Sequence, residues 1–136
     1  LKPYDVISDT SWGFDHGTWS VLVHAFPAAD IPVIQLSIDG SKPNSFHYEL
    51  GQRLAALRDE GVLIIGSGNV VHNLGLVKWR NDGGAFGEPA RLSIPTPDHY
   101  LPLLYVLGAI RPTDKVSFPV DGIDMGSLSM LCVLAR

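Results

Sequence analysis

The sequence has few of the features that mark disulfide-bonded, membrane-spanning or nucleic-acid-binding proteins. Its single cysteine, Cys132, excludes an intrachain disulfide and any cysteine-based metal site. No apolar run approaches the roughly 20 residues of a membrane span, and the first residues do not resemble a signal peptide. A net charge of −4 offers no attraction to nucleic acid or to an anionic membrane. We therefore expect a cytoplasmic protein without nucleic-acid or membrane partners.

The amino-acid composition and the length of the chain favour one folded domain. Hydrophobic residues make up 46% of the chain and charged residues 18%, a balance that permits a buried core and is not typical of disordered chains. The length of 136 residues lies within the usual range for a single domain. Because neither an internal repeat nor a low-complexity segment interrupts the chain, we expect residues 1–136 to form one domain.

The apolar pattern predicts an α/β fold with a mixed, largely parallel central sheet flanked by helices. β-branched residues favour a strand over 31–38, and the wholly apolar run 62–65 favours a buried parallel strand. Between them, residues 43–60 have the periodicity of an amphipathic helix, which Gly61 is expected to end. This order of strand, helix and strand is typical of a right-handed βαβ unit.

Four further elements are predicted by short apolar segments between turn residues. They are helices over 18–26 and 102–109 and strands over 116–120 and 127–134. Thr18 is the expected N-cap of a buried first helix. A proline inside the second pattern places His99 in a separate turn ahead of that helix. The Gly- and Pro-rich stretch 80–93 is expected to be an exposed loop.

Three histidines occur in irregular segments, where functional groups concentrate. His72 follows the apolar run 62–65, at the position where open α/β sheets place ligands. His16 and His99 also lie close to Gly or Pro. Neutral imidazole is a common ligand for zinc, iron and copper, and it titrates near neutral pH, which suits proton transfer. The spacing alone leaves two alternatives open, a shared metal and acid/base site or three structural histidines.

Other candidate groups are assigned structural roles. His24 is expected in the core or at the edge of the helix over 18–26, and His47 on the surface of the helix over 43–60. Residues 66–68 match neither the Gly-x-Ser-x-Gly turn of serine hydrolases nor a P-loop. A hydrolase and a nucleotide-binding protein are therefore disfavoured.

Six ordered segments together resemble the 4,5-DOPA extradiol dioxygenase family, within the class III extradiol (LigB-type) ring-opening dioxygenases. They run from near the start of the sequence almost to its end. The segments are WGFDHGTW at 12–19, IQLSID at 34–39, LAALRDEG at 54–61, SGNVVHNL at 67–74, PTPDHYLPLL at 95–104 and MGSLSM at 125–130.

The resemblance implies an enzyme that opens a catechol (DOPA-like) ring beside its hydroxyls with O₂ and a non-haem cofactor, Zn(II) or Fe(II). At the matching positions, His99 corresponds to a metal-ligand histidine and His72 to the catalytic acid/base histidine. His16 corresponds to a catalytic histidine of the substrate pocket. A metal lowers the pKa of the hydroxyls that it binds, and a nearby histidine can then take and return the remaining proton.

The resemblance covers the C-terminal half of the family. In relatives the first half supplies a His-Gly-Ser motif and a second histidine, the other two metal ligands, and no segment here matches them. The stretch between Trp79 and Pro95 is also shorter than in relatives. These departures lead us to expect a partial extradiol dioxygenase domain. A missing N-terminal half, or another chain in a homo-oligomer, would complete its metal shell.

Two other interpretations follow from the same residues. A catalytically inactive remnant that acts as a binding or interaction domain would expose an apolar face and tend to self-associate. A zinc hydrolase with His72 as its base is disfavoured, because no carboxylate or second histidine lies at ligand spacing. Metal content and O₂ consumption are the observations that separate these alternatives.

Overall fold

The computed structural model describes residues 1–76 and 90–136. Its helices are α1 (His16–Ala25), α2 (Asn44–Leu54), α3 (Ala90–Ser93) and α4 (Leu101–Ala109), with 3₁₀ segments at Ala55–Glu60 and Leu74–Leu76. Its strands are β1 (Val116–Val120), β2 (Ile123–Asp124), β3 (Leu128–Ser129) and β4 (Cys132–Ala135). In this described part, no helix is both long and apolar enough to cross a membrane.

Helix α2 and the 3₁₀ segment that continues it confirm the amphipathic helix predicted over 43–60. Gly61 ends this unit in the left-handed conformation, with a φ of 80°, which a residue without Cβ adopts at little cost. Helix α4 and the separate turn that precedes it are also confirmed. Local periodicity and chain-breaking residues were sufficient signals in each case.

The described core lies where α2 packs against α4. Its buried apolar residues are Leu50, Leu101, Leu104, Tyr105 and Ala109. Glycines on both helices permit a close approach, since a Cβ at Gly51 would clash with the Tyr105 carbonyl oxygen. A Cβ at Gly108 would likewise clash with the carbonyl oxygen of Tyr48. The crossing therefore places two backbones, rather than two side-chain layers, in contact.

Helix α1 confirms the helix predicted over 18–26, but its start and its burial differ from the prediction. The N-cap is Asp15, whose Oδ1 accepts a hydrogen bond from the backbone N–H of Thr18 at 2.8 Å. Asp is one of the most favoured N-cap residues, and Thr18 lies in the first turn of α1. No α1 residue is buried in the structure described, so the prediction of a buried helix was wrong.

The largely parallel central sheet is not confirmed. β1 pairs antiparallel with β4, and β2 pairs antiparallel with β3, as two separate two-stranded sheets. Segments 31–38 and 62–65, the expected parallel strands, form no strand in the described residues. β-branched composition favours strand conformation, whereas a strand also needs a hydrogen-bonded neighbour in register. No described segment supplies that neighbour.

The C-terminal residues confirm the strand over 116–120 as β1 and divide the one predicted over 127–134 into β3 and β4. The division follows from a tight β2–β3 hairpin nested between β1 and β4. Met125 and Gly126 turn this hairpin with positive φ values of 48° and 74°. The loop predicted over 80–93 lies outside the described residues except for α3, and most of the shortened stretch between Trp79 and Pro95 lies outside them too.

Candidate active site

The structure brings His72 against His99. Their imidazole rings are stacked, with centroids 3.6 Å apart and ring planes 11° from parallel. His99 lies in the turn before α4, where the backbone N–H groups of Tyr100 and Leu101 each donate to the Pro97 carbonyl at 2.9 Å. Two residues that the sequence assigns to one site are therefore in direct contact.

His16 lies close to this pair, at the first position of α1. A Cβ at the next residue, Gly17, would be 3.8 Å from the hydroxyl of Ser67, so the start of α1 adjoins the loop that leads to His72. The charge of His16 also acts on His99. The structure thus places all three predicted histidines in one region, with His72 and His99 stacked and His16 beside them.

A glycine controls how closely the loop approaches the turn of His99. A Cβ at Gly68 would clash with the His99 carbonyl oxygen and lie 3.2 Å from its Cα. Any larger residue at this position must displace one of the two segments. Gly68 therefore permits the contact that stacks the rings.

Backbone hydrogen bonds hold His72 from two sides. Its N–H donates to the Ser93 carbonyl at 3.0 Å, at the end of α3. On the other side, His72 forms an isolated antiparallel bridge with Leu128 of β3. The Asn73 side-chain amide donates to the carbonyl of Leu92. An irregular segment is in this way fixed between two regular elements.

The electrostatic surroundings of His99 favour its neutral form. Burial lowers the pKa of His99 first, and the neighbouring charges of His72 and His16 lower it further, while Asp98 opposes them. The carboxylate Oδ2 of Asp98 is 3.7 Å from Nε2 of His99. The pKa of Asp98 is itself lowered, chiefly by a hydrogen bond with the side chain of Thr96. Neutral imidazole is the form that binds metal ions.

The described residues do not supply a complete metal site. Across 1–76 and 90–136, no group of three His, Cys, Asp or Glu side chains is arranged to hold a metal ion. A metal lies in the plane of a ligating imidazole, roughly 2.0–2.1 Å from its nitrogen for zinc. The nearly parallel planes of His72 and His99 do not converge on such a point. In this arrangement, one metal ion cannot be bound by both rings of the stack.

An open cleft adjoins the turn that carries His99. It has a volume of about 280 Å³ and is lined by Ile38, Gly40, Pro97, Asp98 and Leu101. Most of this lining is apolar, and Asp98 is its one charged residue. The volume of the cleft lies just below the range of about 300–1,000 Å³ that is usual for small-molecule sites.

Sequence reasoning misplaced one histidine and missed two asparagines. His47 is 0% exposed rather than on the surface, and its Nδ1 is 3.0 Å from the hydroxyl of Tyr105. Its position one helical turn before the buried Leu50 was the available signal. Asn69 and Asn73 anchor the segment around His72 through their side chains. Their signal was the preference of Asn for side-chain bonds to backbone in irregular segments.

Residues 3–90 match the family described as the catalytic LigB subunit of aromatic ring-opening dioxygenase. The chain is also similar to a 4,5-DOPA dioxygenase extradiol of Escherichia coli (strain K12), at 48% identity over 98% of this chain. Another protein of that name, from Beta vulgaris, is 34% identical over 91% of the chain. This chain spans 60% of the length of the bacterial relative and 56% of the length of the plant relative.

A solved structure agrees with the sequence comparisons. The crystal structure of an uncharacterized protein from Escherichia coli K12 superposes with a TM-score of 0.84 at 47% sequence identity. The match covers 94% of this chain and 65% of that one. The likeness in fold therefore extends over nearly the whole chain.

Proposed function

Because the chain belongs to the LigB family of aromatic ring-opening dioxygenases, we propose that it serves in extradiol cleavage of a catechol, DOPA-like substrate by O₂. The stack of His72 on His99 is the observation that carries this proposal. It sets His99, whose neutral and metal-binding form is favoured by its surroundings, against a second imidazole that we propose as the acid/base group. Several relatives named 4,5-DOPA dioxygenase extradiol support the choice of substrate class.

We assign each histidine one role. His72 acts as general base and then general acid, because imidazole changes charge near neutral pH and can hold a proton between two steps. His99 is the described residue that we propose as a ligand of non-haem Zn(II) or Fe(II), which when bound would polarise the catechol hydroxyls. His16, at the start of α1, contacts the substrate from the side of the Ser67 loop.

The proposed partners are a small catechol, O₂ and a further copy or segment that supplies the remaining metal donors. Non-haem metal sites of this kind need several donors, and His99 supplies one. A metal bound by His99 alone would be held weakly. We place the reaction in the cytoplasm.

The test is O₂ consumption by the purified chain supplied with Fe(II) or Zn(II) and either catechol or DOPA. We expect O₂ uptake to accompany a yellow ring-opened product. His72→Ala should reduce turnover by at least about 100-fold, the usual contribution of a general acid/base, without releasing metal. His24→Ala is the matched control, since His24 is exposed on α1 and should leave turnover unchanged. Wild-type turnover in His72→Ala would contradict the role given to His72.

The second candidate is an inactive remnant that acts as a binding domain. The incomplete donor set of the described residues and their many exposed apolar side chains favour it. Stoichiometric Fe or Zn in the purified chain, lost in His99→Ala, would contradict this candidate. A chain that takes up neither metal nor O₂ would support it.

A further inference from the structure

We propose that Asn69 is a positioning residue that sets the register of the segment carrying His72, and this proposal rests on the function proposed above for His72. The segment belongs to none of the named strands and meets β3 through a single bridge, between His72 and Leu128. Successive residues of a strand point to opposite faces, so a slip of one residue would turn His72 away from its partner ring. The register therefore decides whether His72 and His99 can stack.

The hydrogen bonds around this bridge identify its type. On one side, the N–H of Asn73 donates to the Ser127 carbonyl at 3.2 Å. On the other side, the N–H of Ser129 donates to the Val71 carbonyl at 2.9 Å. This pattern makes the bridged residues a non-hydrogen-bonded antiparallel pair. The next pair along the ladder is Val71 with Ser129.

Asn69 replaces a backbone donor in that next pair. In a continuing antiparallel ladder the Ser129 carbonyl would accept a hydrogen bond from the N–H of Val71. It accepts instead from the side-chain Nδ2 of Asn69, at 2.6 Å. The Asn69 amide thus occupies the acceptor that would extend the pairing, and it ends the ladder on the Val71 side of the bridge.

Burial makes this bond hard to replace with water. Ser129 is 6% exposed, and its hydroxyl already accepts from the N–H of Leu131 at 3.2 Å. Loss of the Asn69 donor would leave a carbonyl oxygen unpaired in a buried position, which is unfavourable. The segment would then regain a partner by pairing further or by slipping. Either change alters the direction of the His72 side chain.

The experiment measures the stack directly by NMR. Two rings stacked this closely displace each other's imidazole C–H signals through ring currents, and His72→Ala and His99→Ala assign those signals. We expect Asn69→Asp, which keeps the shape and removes the donor, to abolish the displacement. Asn69→Ala is the second variant, in case the added carboxylate prevents folding, and should have the same effect.

Two controls separate positioning from general loss of stability. Asn44→Asp makes the same chemical change at an exposed position of α2 and should leave the displaced signals in place. Asp114→Asn removes an ion pair that involves Arg58 and should lower stability without moving those signals. Displaced signals that persist in both Asn69 variants would overturn the proposal. Equal loss of the displacement in Asp114→Asn would overturn it too.

Because this measurement does not involve turnover, it is independent of the proposed reaction. A chain in which Asn69→Asp abolishes the stack, but which cleaves no catechol, would support the register assignment and contradict the proposed function. If the displaced signals persist in the Asn69 variants while the unmodified chain cleaves catechol, the register assignment is wrong and the proposed function is supported.

Discussion

At the scale of single residues, the site depends on groups that carry no reactive chemistry themselves. Gly68 permits the loop to touch the turn of His99, and Asn69 ends the pairing beside β3. Reactive side chains can be recognised by type, whereas supporting groups are recognised by what they contact. This difference explains why His16, His72 and His99 could be named as candidates from the sequence, whereas the contacts that Gly68 and Asn69 make could not.

Gly68→Ala should separate the two stacked histidines. Its Cβ would clash with the His99 carbonyl oxygen, so the loop or the turn must move. A misplacement of about 1 Å in a catalytic site can cost on the order of 100-fold in turnover. The measurements are O₂ uptake and the NMR signals of the stacked rings. Gly13→Ala is the control, because a Cβ there meets nothing within 4 Å. Unchanged rings and turnover in Gly68→Ala would refute this account of the contact.

The lowered pKa of His99 predicts a dependence of stability on pH. Between this lowered pKa and the ordinary value of about 6.5, the unfolded chain binds a proton at His99 that the folded chain does not. The free energy of unfolding should therefore rise as the pH rises through this window and fall as the pH falls through it. Urea denaturation at a series of pH values measures this dependence. His99→Asn should flatten it, and an unaltered profile in that variant would exclude His99 as its source.

At the scale of elements, charged pairs join the 3₁₀ segment Ala55–Glu60 to the chain after α4. Arg58 donates two hydrogen bonds to the carboxylate of Asp114, at 2.6 and 3.0 Å. Arg111 makes the corresponding pair with Asp59, at 2.7 and 2.8 Å. Bidentate pairs of this kind are the stronger class of ion pair. They fix the end of α2 against the end of α4, the helix that begins just after His99.

Asp114→Asn should lower the melting temperature by several degrees. The pKa of Asp114 is lowered to about 2, first by the hydrogen bond from Arg58 and then by the backbone N–H of Arg111. Its contribution to stability is present above the ordinary carboxyl pKa and is lost as the pH falls toward about 2. Thermal denaturation at neutral and acid pH measures both effects.

The matched variant is Asp59→Asn, whose effect should be smaller. The Asp59 side chain is 68% exposed, against 7% for Asp114, and exposed ion pairs contribute little. An equal loss in both variants would show that burial does not distinguish the two pairs.

At the scale of the whole molecule, apolar side chains lie exposed where the predicted parallel strands were expected. Ile34 is 94% exposed and Leu63 is 67% exposed, although both were expected within a sheet. Exposed apolar surface of this kind marks an interaction site or a tendency to associate. The unconfirmed sheet and the unburied α1 therefore have the same consequence: both leave apolar side chains in contact with water in the described part of the chain.

We expect the chain to self-associate in solution. Association would remove Ile34 and Leu63 from water, and the hydrophobic effect favours it in proportion to the apolar area covered. Sedimentation velocity over a range of concentrations should show dimers or larger species. The double variant Ile34→Lys with Leu63→Lys should shift the distribution toward monomer, while Val6→Lys, in the N-terminal stretch, serves as the control. A concentration-independent monomer in the unmodified chain would be the contrary result.

The sequence by itself determined what depends on neighbours along the chain. Apolar periodicity and Gly61 located α2, a proline separated His99 from α4, and six segments indicated the family. The helix signals are local because a helix satisfies its hydrogen bonds within a few residues.

The tertiary structure alone decided what depends on distant partners. The bridge between His72 and Leu128, the burial of His47 against Tyr105, the ion pair of Asp114 and the bond from Asn69 to Ser129 all join segments far apart in sequence. One apolar run can pair in several registers or remain unpaired, and only the position of the partner backbone selects among these outcomes.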